Sequence, residues 1–305
     1  MRSANEGSAD AATENGLVRM STDGWSPEYL PTGRTASSRR PLSGGFANPV
    51  WLCDLDDGEQ VVVKASAEPN ANMFAVEAAG LAVLSEIGGL TTPRVLATGP
   101  HSIVLEALNP DVPPGDAFWQ SAGHAAALMH RNTANDRFGW EADGWLGPLQ
   151  QRNSWHPDGY RFFAENRVLR YLDEPRVAAA LDASDRAGIE RVCARLPELI
   201  PDTGPCLTHG DMWRNNILAD HTGGPAFLDP AVSYAWAEID VAHMLCSGGV
   251  PEAFFAAYAE VRPLHPQWRE HARILNLRQL LAMLAAGVPI STITASIREV
   301  VGTYG

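Results

Sequence analysis

The stretch Leu207-Thr208-His209-Gly210-Asp211-Met212-Trp213-Arg214-Asn215-Asn216-Ile217-Leu218, followed by Ala226-Phe227-Leu228-Asp229, decides the reading of this chain. It sets an Asp, an Asn five residues on, and a second Asp at the end of an apolar run. Asn216-Ile217-Leu218 reads as a short strand, Gly223-Gly224-Pro225 as a turn, and Ala226-Phe227-Leu228 as the returning strand. Such a hairpin brings Asn216 and Asp229 together at one end. Phosphoryl transfer from a metal–nucleotide needs a carboxylate to take a hydroxyl proton, and an amide oxygen and second carboxylate to hold divalent ions. Mg²⁺ prefers oxygen ligands and keeps several waters, so two protein side chains are enough to hold it. Surface turns use Asp and Asn too, but His209, Trp213 and the apolar flanks argue for a buried, ordered loop.

The nucleotide side is expected upstream. Val61-Val62-Val63-Lys64 reads as a β-branched strand carrying one Lys. Glu77 follows thirteen residues later, in a segment whose apolar residues (Phe74, Ala78, Leu81, Leu84) recur at helical spacing. A strand Lys braced by a helix Glu is how kinase-like folds hold the α- and β-phosphates of ATP. Ahead of the Lys strand, Gly44 and Gly45 let backbone N–H groups approach a phosphate closely. Asp54-Leu55-Asp56-Asp57-Gly58 supplies a hairpin turn between them. His101–Leu108 reads as a strand running into a connector; in a two-lobed kinase this is the hinge, whose backbone around Glu106 and Leu108 would bond the adenine, and a plain buried strand fits the same residues.

Asn109-Pro110-Asp111-Val112-Pro113-Pro114-Gly115 is the clearest linker-like punctuation. It divides the chain into a small α+β lobe over 25–108 and a larger, mainly helical lobe over 109–305. The predicted helices include Phe118–Arg131, with Ala125, Leu128 and Met129 inward, then Gly159–Leu172, Ile239–Leu245, Glu252–Val261 and Pro266–Ala286. Residues 1–24 are small and polar and read as disordered, and Met20 is an alternative start.

The net charge of −13 argues against non-specific binding to nucleic acid or an anionic membrane. No apolar run reaches membrane-spanning length, and no apolar segment follows Arg2 as a secretory signal would require. Cys53, Cys193, Cys206 and Cys246 are scattered and read as reduced thiols of a cytoplasmic protein. Oligomeric state is not legible.

From about Pro41 onward the chain resembles the fructosamine/ketosamine kinases, a branch of the aminoglycoside phosphotransferase and choline kinase group. The resemblance is carried by Ser43-Gly44-Gly45 with Asn48, Glu77-Ala78, Leu128-Met129-His130-Arg131, Asn153-Ser154-Trp155, Phe162–Arg167, His209–Trp213 with Asn216, Leu228-Asp229-Pro230-Ala231 and Glu238–Ala242. It implies a two-lobed, protein kinase-like α+β fold. It further implies an enzyme that uses ATP and Mg²⁺ to phosphorylate a hydroxyl on the third sugar carbon of a ketoamine, free or protein-bound. The phosphate ester then decomposes and frees the amine. By position, Asp211 becomes the base, Asn216 and Asp229 the metal ligands, Lys64 the phosphate binder and Glu77 its partner. The likeness also implies that Asp240 braces the catalytic loop through backbone N–H groups.

The chain departs from the family at Arg214-Asn215, where Ser-Gly is common, and at Phe46, where some relatives carry Cys. Trp213, Arg214 and Trp236 are candidates for contact with substrate, with a plain core role equally open for Trp236 and a solvent-facing one for Arg214, and Gln151, Asn153 and Trp155 are candidates for a loop closing the acceptor side. His209 and His130 read as packed, structural residues. Two alternatives stay open: a kinase of the same fold acting on an aminoglycoside, choline or an amino alcohol, and a non-catalytic nucleotide-binding protein.

Overall fold

The computed structural model describes residues 24–42, 48–69, 72–288 and 290–305. Gly44 and Gly45, with Ser43 and Phe46, lie outside the described residues, as do Met20 and the rest of the expected N-terminal tail up to residue 23.

The first part is an antiparallel sheet. Strands β1 (Ala36–Pro41), β2 (Val50–Leu55) and β3 (Gln60–Ala65) are followed by helix α1 (Met73–Glu86), β4 (Val95–Thr98) and β5 (Ser102–Glu106). The order across the sheet is β1-β2-β3-β5-β4. Side chains alternate between the two faces of a strand, and β3 uses both. Val61, Val63 and Ala65 pack with Trp25, Trp51 and Cys53, whereas Val62 sits against the cluster that holds Met73, Phe74 and Leu81 of α1. Lys64 shares the face of Val62, and its backbone lies in register between Val50 and Ile103. The cation is thus fixed on a central strand, under the helix that carries Glu77.

The second part is mainly helical. Helix α2 (Asp116–Asn132) leads to the hairpin β6 (Gly144–Leu146) and β7 (Leu149–Gln151), then to α3 (Gly159–Phe162), α4 (Pro175–Ala180), α5 (Ala183–Ala194) and α6 (Leu196–Leu199). Strand β8 (Cys206–Thr208) precedes the hairpin β9 (Ile217–Ala219) and β10 (Pro225–Phe227), and β11 (Ser233–Ala235) returns to pair with β8. Helices α7 (Glu238–Cys246), α8 (Glu252–Val261), α9 (Trp268–Leu275), α10 (Leu277–Ala286) and α11 (Ile290–Tyr304) complete the chain. Helix α8 has the bounds read from the sequence. Helix α2 packs tightly on α8, and a Cβ at Gly123 would overlap the carbonyl of Phe254.

Three expectations need correction. The inward face of α2 is Ala122, Ala126, Met129 and His130, while Leu128 is 39% exposed. The single helix expected over Gly159–Leu172 is α3 followed by a π-helical turn, Phe163–Val168, and a 3-10 turn, Leu169–Tyr171. The helix expected over Pro266–Ala286 starts at Trp268 and is divided at Asn276.

Candidate active site

The loop after β8 carries the Asp, and three features hold it. Gly210 adopts φ +80°, and a Cβ there would collide with the carbonyl of Ala231, so the loop needs glycine for conformation and for space. Asp240, 1% exposed on the first turn of α7, accepts the backbone N–H of His209 at 2.7 Å and of Gly210 at 2.9 Å. Its Oδ2 lies 3.1 Å from His130 Nε2, and His130 Nδ1 is 2.8 Å from the Tyr258 hydroxyl. Burial pushes the Asp240 carboxyl up, but His130 and the backbone amides outweigh it and hold the group below its ordinary value. His209 is fully buried; burial drives its pKa down to about 4, and its Nδ1 accepts the Asp211 N–H at 3.2 Å. His209 and Asp240 therefore shape the loop, and the buried His130 braces Asp240 from the core.

The hairpin brings Asn216 and Asp229 to the same end. Ile217 pairs with Phe227, and Leu228 N–H donates to the Asn216 carbonyl at 3.1 Å. Asn216 donates its amide to the Asp211 carbonyl at 2.9 Å and to Asp211 Oδ2 at 3.2 Å. Among the described residues, no hydrogen bond takes up the amide oxygen of Asn216. Asp229 takes φ +57°, a left-handed conformation that aims its carboxylate back toward the sheet. It meets Lys64 Nζ, which also donates to Glu77 Oε1 at 2.6 Å. Lys64 of β3, Glu77 of α1, Asp211 and Asn216 of the loop after β8, and Asp229 after β10 thus converge from four separate segments. The donors of Asn216 and Asp229 are all oxygen, the chemistry a hard divalent cation such as Mg²⁺ takes, and two side chains fit an ion that keeps its waters.

Asp211 is 20% exposed at its side chain. Burial raises its pKa to about 6, against the opposing pull of the Arg278 guanidinium. A carboxyl poised there is ionised at neutral pH yet more basic than an ordinary Asp, which suits a proton acceptor.

Two cavities meet at this residue. The first, about 150 Å³, lies between sheet and helices and is lined by Lys64, Glu77, Asn216, Asp229, Asp211 and Trp213 among others. The second, about 480 Å³, runs from Asp211 and Trp213 into the helical part, past His243, Gln279, Leu280 and Met283. Trp213 lines both, as do Leu146 and Gly147. At the far end of the sheet, Glu106 turns its side chain to Arg94 Nε at 3.2 Å. Among the described residues, neither the N–H nor the C=O of Leu108 bonds another backbone group.

Other candidates stand elsewhere. Trp236 is 1% exposed, packed on Phe138, Tyr160 and Phe163, and its indole N–H donates to Asp202 at 2.9 Å. It is a core residue and touches neither cavity. Arg214 stacks its guanidinium over Trp119 and reaches the carbonyl of Gly249, so it lines neither cavity. Gln151 and Asn153 are buried braces: Gln151 bonds the Ala231 carbonyl and Arg278, and Asn153 bonds the Ala142 carbonyl and Arg167. Trp155 stacks on Tyr234. The sequence reading missed His243, Gln279 and Arg278. His243 stands three residues after Asp240, one turn along the same helix face, and that spacing is the one signal that could have found it.

A lysine-bearing sheet facing an Asp–Asn–Asp set across a cleft, with a second pocket behind the Asp, defines a phosphotransferase of kinase-like fold that acts on a hydroxyl. The chain belongs to the fructosamine kinase family, whose model matches residues 22–288. It is 32% identical over 247 residues to a protein named probable ketoamine kinase from Synechocystis, covering 80% of this chain and 82% of that one. It is 29% identical over 250 residues to the chloroplastic protein-ribulosamine 3-kinase of Oryza sativa subsp. japonica, covering 79% of this chain and 71% of the other. A solved structure from Thermobifida fusca, assigned as a fructosamine-3-kinase, superposes with a TM-score of 0.77 at 29% identity, over 89% of this chain and 96% of that one.

Proposed function

We propose that the chain transfers the γ-phosphate of ATP to a sugar hydroxyl of a ketoamine, with Asp211 as the base. The observation that carries this reading is that Asp211 lines both cavities, so one carboxylate faces the phosphate side and the acceptor side together. Asp211 accepts the proton of the acceptor hydroxyl as its oxygen bonds to phosphorus, and the bridging oxygen departs with ADP. Lys64, steadied by Glu77, holds the α- and β-phosphates. Asn216 and Asp229 would hold Mg²⁺, which neutralises charge on the phosphates when bound. The unused backbone groups of Leu108 support a role for the 106–108 connector in bonding adenine.

In this reading residues 25–108 and 109–305 act as the two lobes. Asn109 supports that boundary, since both its backbone groups pair with Ala219 of the helical part. A cytoplasmic setting belongs to the same reading, supported by four free thiols. Among the described residues, no helix is long and apolar enough to cross a membrane.

The acceptor pocket favours a ketoamine over an aminoglycoside. Asp211 is the one carboxylate among its described lining residues, whereas a polycation would call for several. A panel of ketoamines, aminoglycosides and choline, incubated with Mg-ATP and scored by the mass of the phosphorylated product, tests the reading. Transfer to ketoamines supports it; transfer to choline or an aminoglycoside alone overturns it.

A further inference from the structure

We propose that His243 and Gln279 form a second recognition element beside Asp211, gripping the acceptor hydroxyl adjacent to the one that is phosphorylated. The inference rests on the ketoamine reading above and adds the residues that select the sugar.

Among the described residues, seven buried side-chain polar atoms have no hydrogen-bond partner. Two of them, His243 Nδ1 and Gln279 Oε1, belong to side chains that line the same pocket as Asp211. Buried polar atoms are normally paired, and leaving them unpaired is unfavourable, so an unpaired set at a pocket wall points to a ligand group that completes it. Both side chains also stand close to the base. His243 Nδ1 is 3.6 Å from Asp211 Oδ1, too long for a direct hydrogen bond, and Gln279 Nε2 is 3.4 Å from the same oxygen. A pair of neighbouring sugar hydroxyls would satisfy this geometry, one on Asp211 and the next on His243 and Gln279.

The imidazole is suited to that task. It is 8% exposed, and burial, helped by the Arg278 charge, drives its pKa down to about 3. A neutral ring can hydrogen-bond a hydroxyl without placing a second full charge beside Asp211. Trp213 stacks on it at 6.4 Å between ring centroids and fixes its plane. The same wall carries apolar Leu280, Met283, Val288 and Ile293 and the polar Ser247, Asn276, Thr292 and Ser296, but none of these four contributes to the buried unpaired atoms, which among the described residues of this pocket belong to His243 and Gln279.

The test is steady-state kinetics on a hexose-derived ketoamine and on its analogue lacking the hydroxyl of the fourth carbon. A site built to bond a hydroxyl rejects the analogue without it, so the wild type should favour the parent by about ten- to a hundredfold in kcat/KM. His243→Leu should bring the two substrates to within about threefold, through a loss confined to the parent. Gln279→Met should narrow the ratio in the same direction, and His243→Gln, which keeps a donor and an acceptor, should recover part of it. The KM for ATP should not move. An unchanged ratio in folded His243→Leu and Gln279→Met overturns the inference, as does a wild type that treats both substrates alike. Should His243→Leu fail to fold, Gln279→Met and His243→Gln decide the matter. A wild type that phosphorylates no ketoamine refutes the underlying reading and this inference with it, whereas transfer without discrimination refutes this inference alone.

Discussion

The carboxylate of Asp240 receives the backbone N–H of His209 at 2.7 Å, so the loop that carries Asp211 hangs from the first turn of α7. The same carboxylate faces His130 at 3.1 Å and is almost wholly out of water. Asp240→Ala strands two backbone donors and a buried imidazole. It should lower stability by about 3–5 kcal/mol, as removal of one partner of a buried charged pair does. Asp240→Asn keeps the shape and should cost about 1–3 kcal/mol. Denaturant midpoints at a fixed slope check both values, and a neutral Asp240→Ala would contradict the bracing role.

Asp211 should behave as a general base. Base catalysis contributes about 10²–10⁴-fold, so Asp211→Asn should reduce turnover by that amount and leave nucleotide affinity nearly intact. Titration with an ATP analogue alongside turnover separates the two quantities. Normal turnover in this variant would reject the assignment.

Lys64 and Glu77 should report on the nucleotide alone. The Lys64 ammonium is 10% exposed at its side chain and held 2.6 Å from Glu77. A charge-assisted bond of this kind is worth about 1.5–3 kcal/mol, so Lys64→Met should raise the KM for ATP by about ten- to a hundredfold. The KM for the acceptor should change little, the opposite of the pattern expected for His243→Leu. A shift confined to the acceptor KM would argue against the phosphate-binding role.

Activity should fall on acidification with a midpoint near the Asp211 pKa of about 6, because the base works only when ionised. Burial is the main cause of that value and Arg278 opposes it, so Arg278→Met should move the acid limb to higher pH. Stability should fall in the same range. His209 and His243 are held at about 4 and about 3, below their ordinary 6.5, so between about pH 6.5 and about pH 4 the unfolded chain binds up to two more protons than the native one. Their contribution is present above 6.5 and lost as pH drops toward 4. Asp211 acts in the other direction between about 6 and its ordinary 3.8, since its raised pKa lets the native state hold the proton longer. Two groups against one leave a net loss on acidification, which thermal melts from pH 7 to pH 4 would display. A flat profile would contradict the buried, neutral state of both histidines.

Local chemistry made much of this site legible. The glycine-proline turn and apolar flanks gave away the β9–β10 hairpin, and with it the approach of Asn216 to Asp229. A β-branched run ending in Lys64, followed by a helical repeat holding Glu77, did the same for the approach of those two side chains. What escaped depends on contacts distant in sequence. Trp236 could serve a substrate or a core equally well; its burial is decided by Phe138, Tyr160, Phe163 and an Asp202 partner 34 residues away. Arg214 sits three residues after Asp211 in sequence, but its long side chain finds Trp119 and Gly249. Gln279 reaches Asp211 across 68 residues, and no spacing rule connects them. The division of the helix at Asn276 is equally silent, since its backbone stays right-handed at φ −69° and ψ −11°.

The most direct test of the account is the phosphorus balance of a single reaction: Mg-ATP with a hexose-derived ketoamine, wild type beside Asp211→Asn, with ADP and the sugar phosphate quantified by mass. The account predicts one phosphorylated ketoamine for each ADP from the wild type, and about 10²–10⁴-fold less of both from the variant. ADP released without a phosphorylated ketoamine, or equal product from the two proteins, would contradict it.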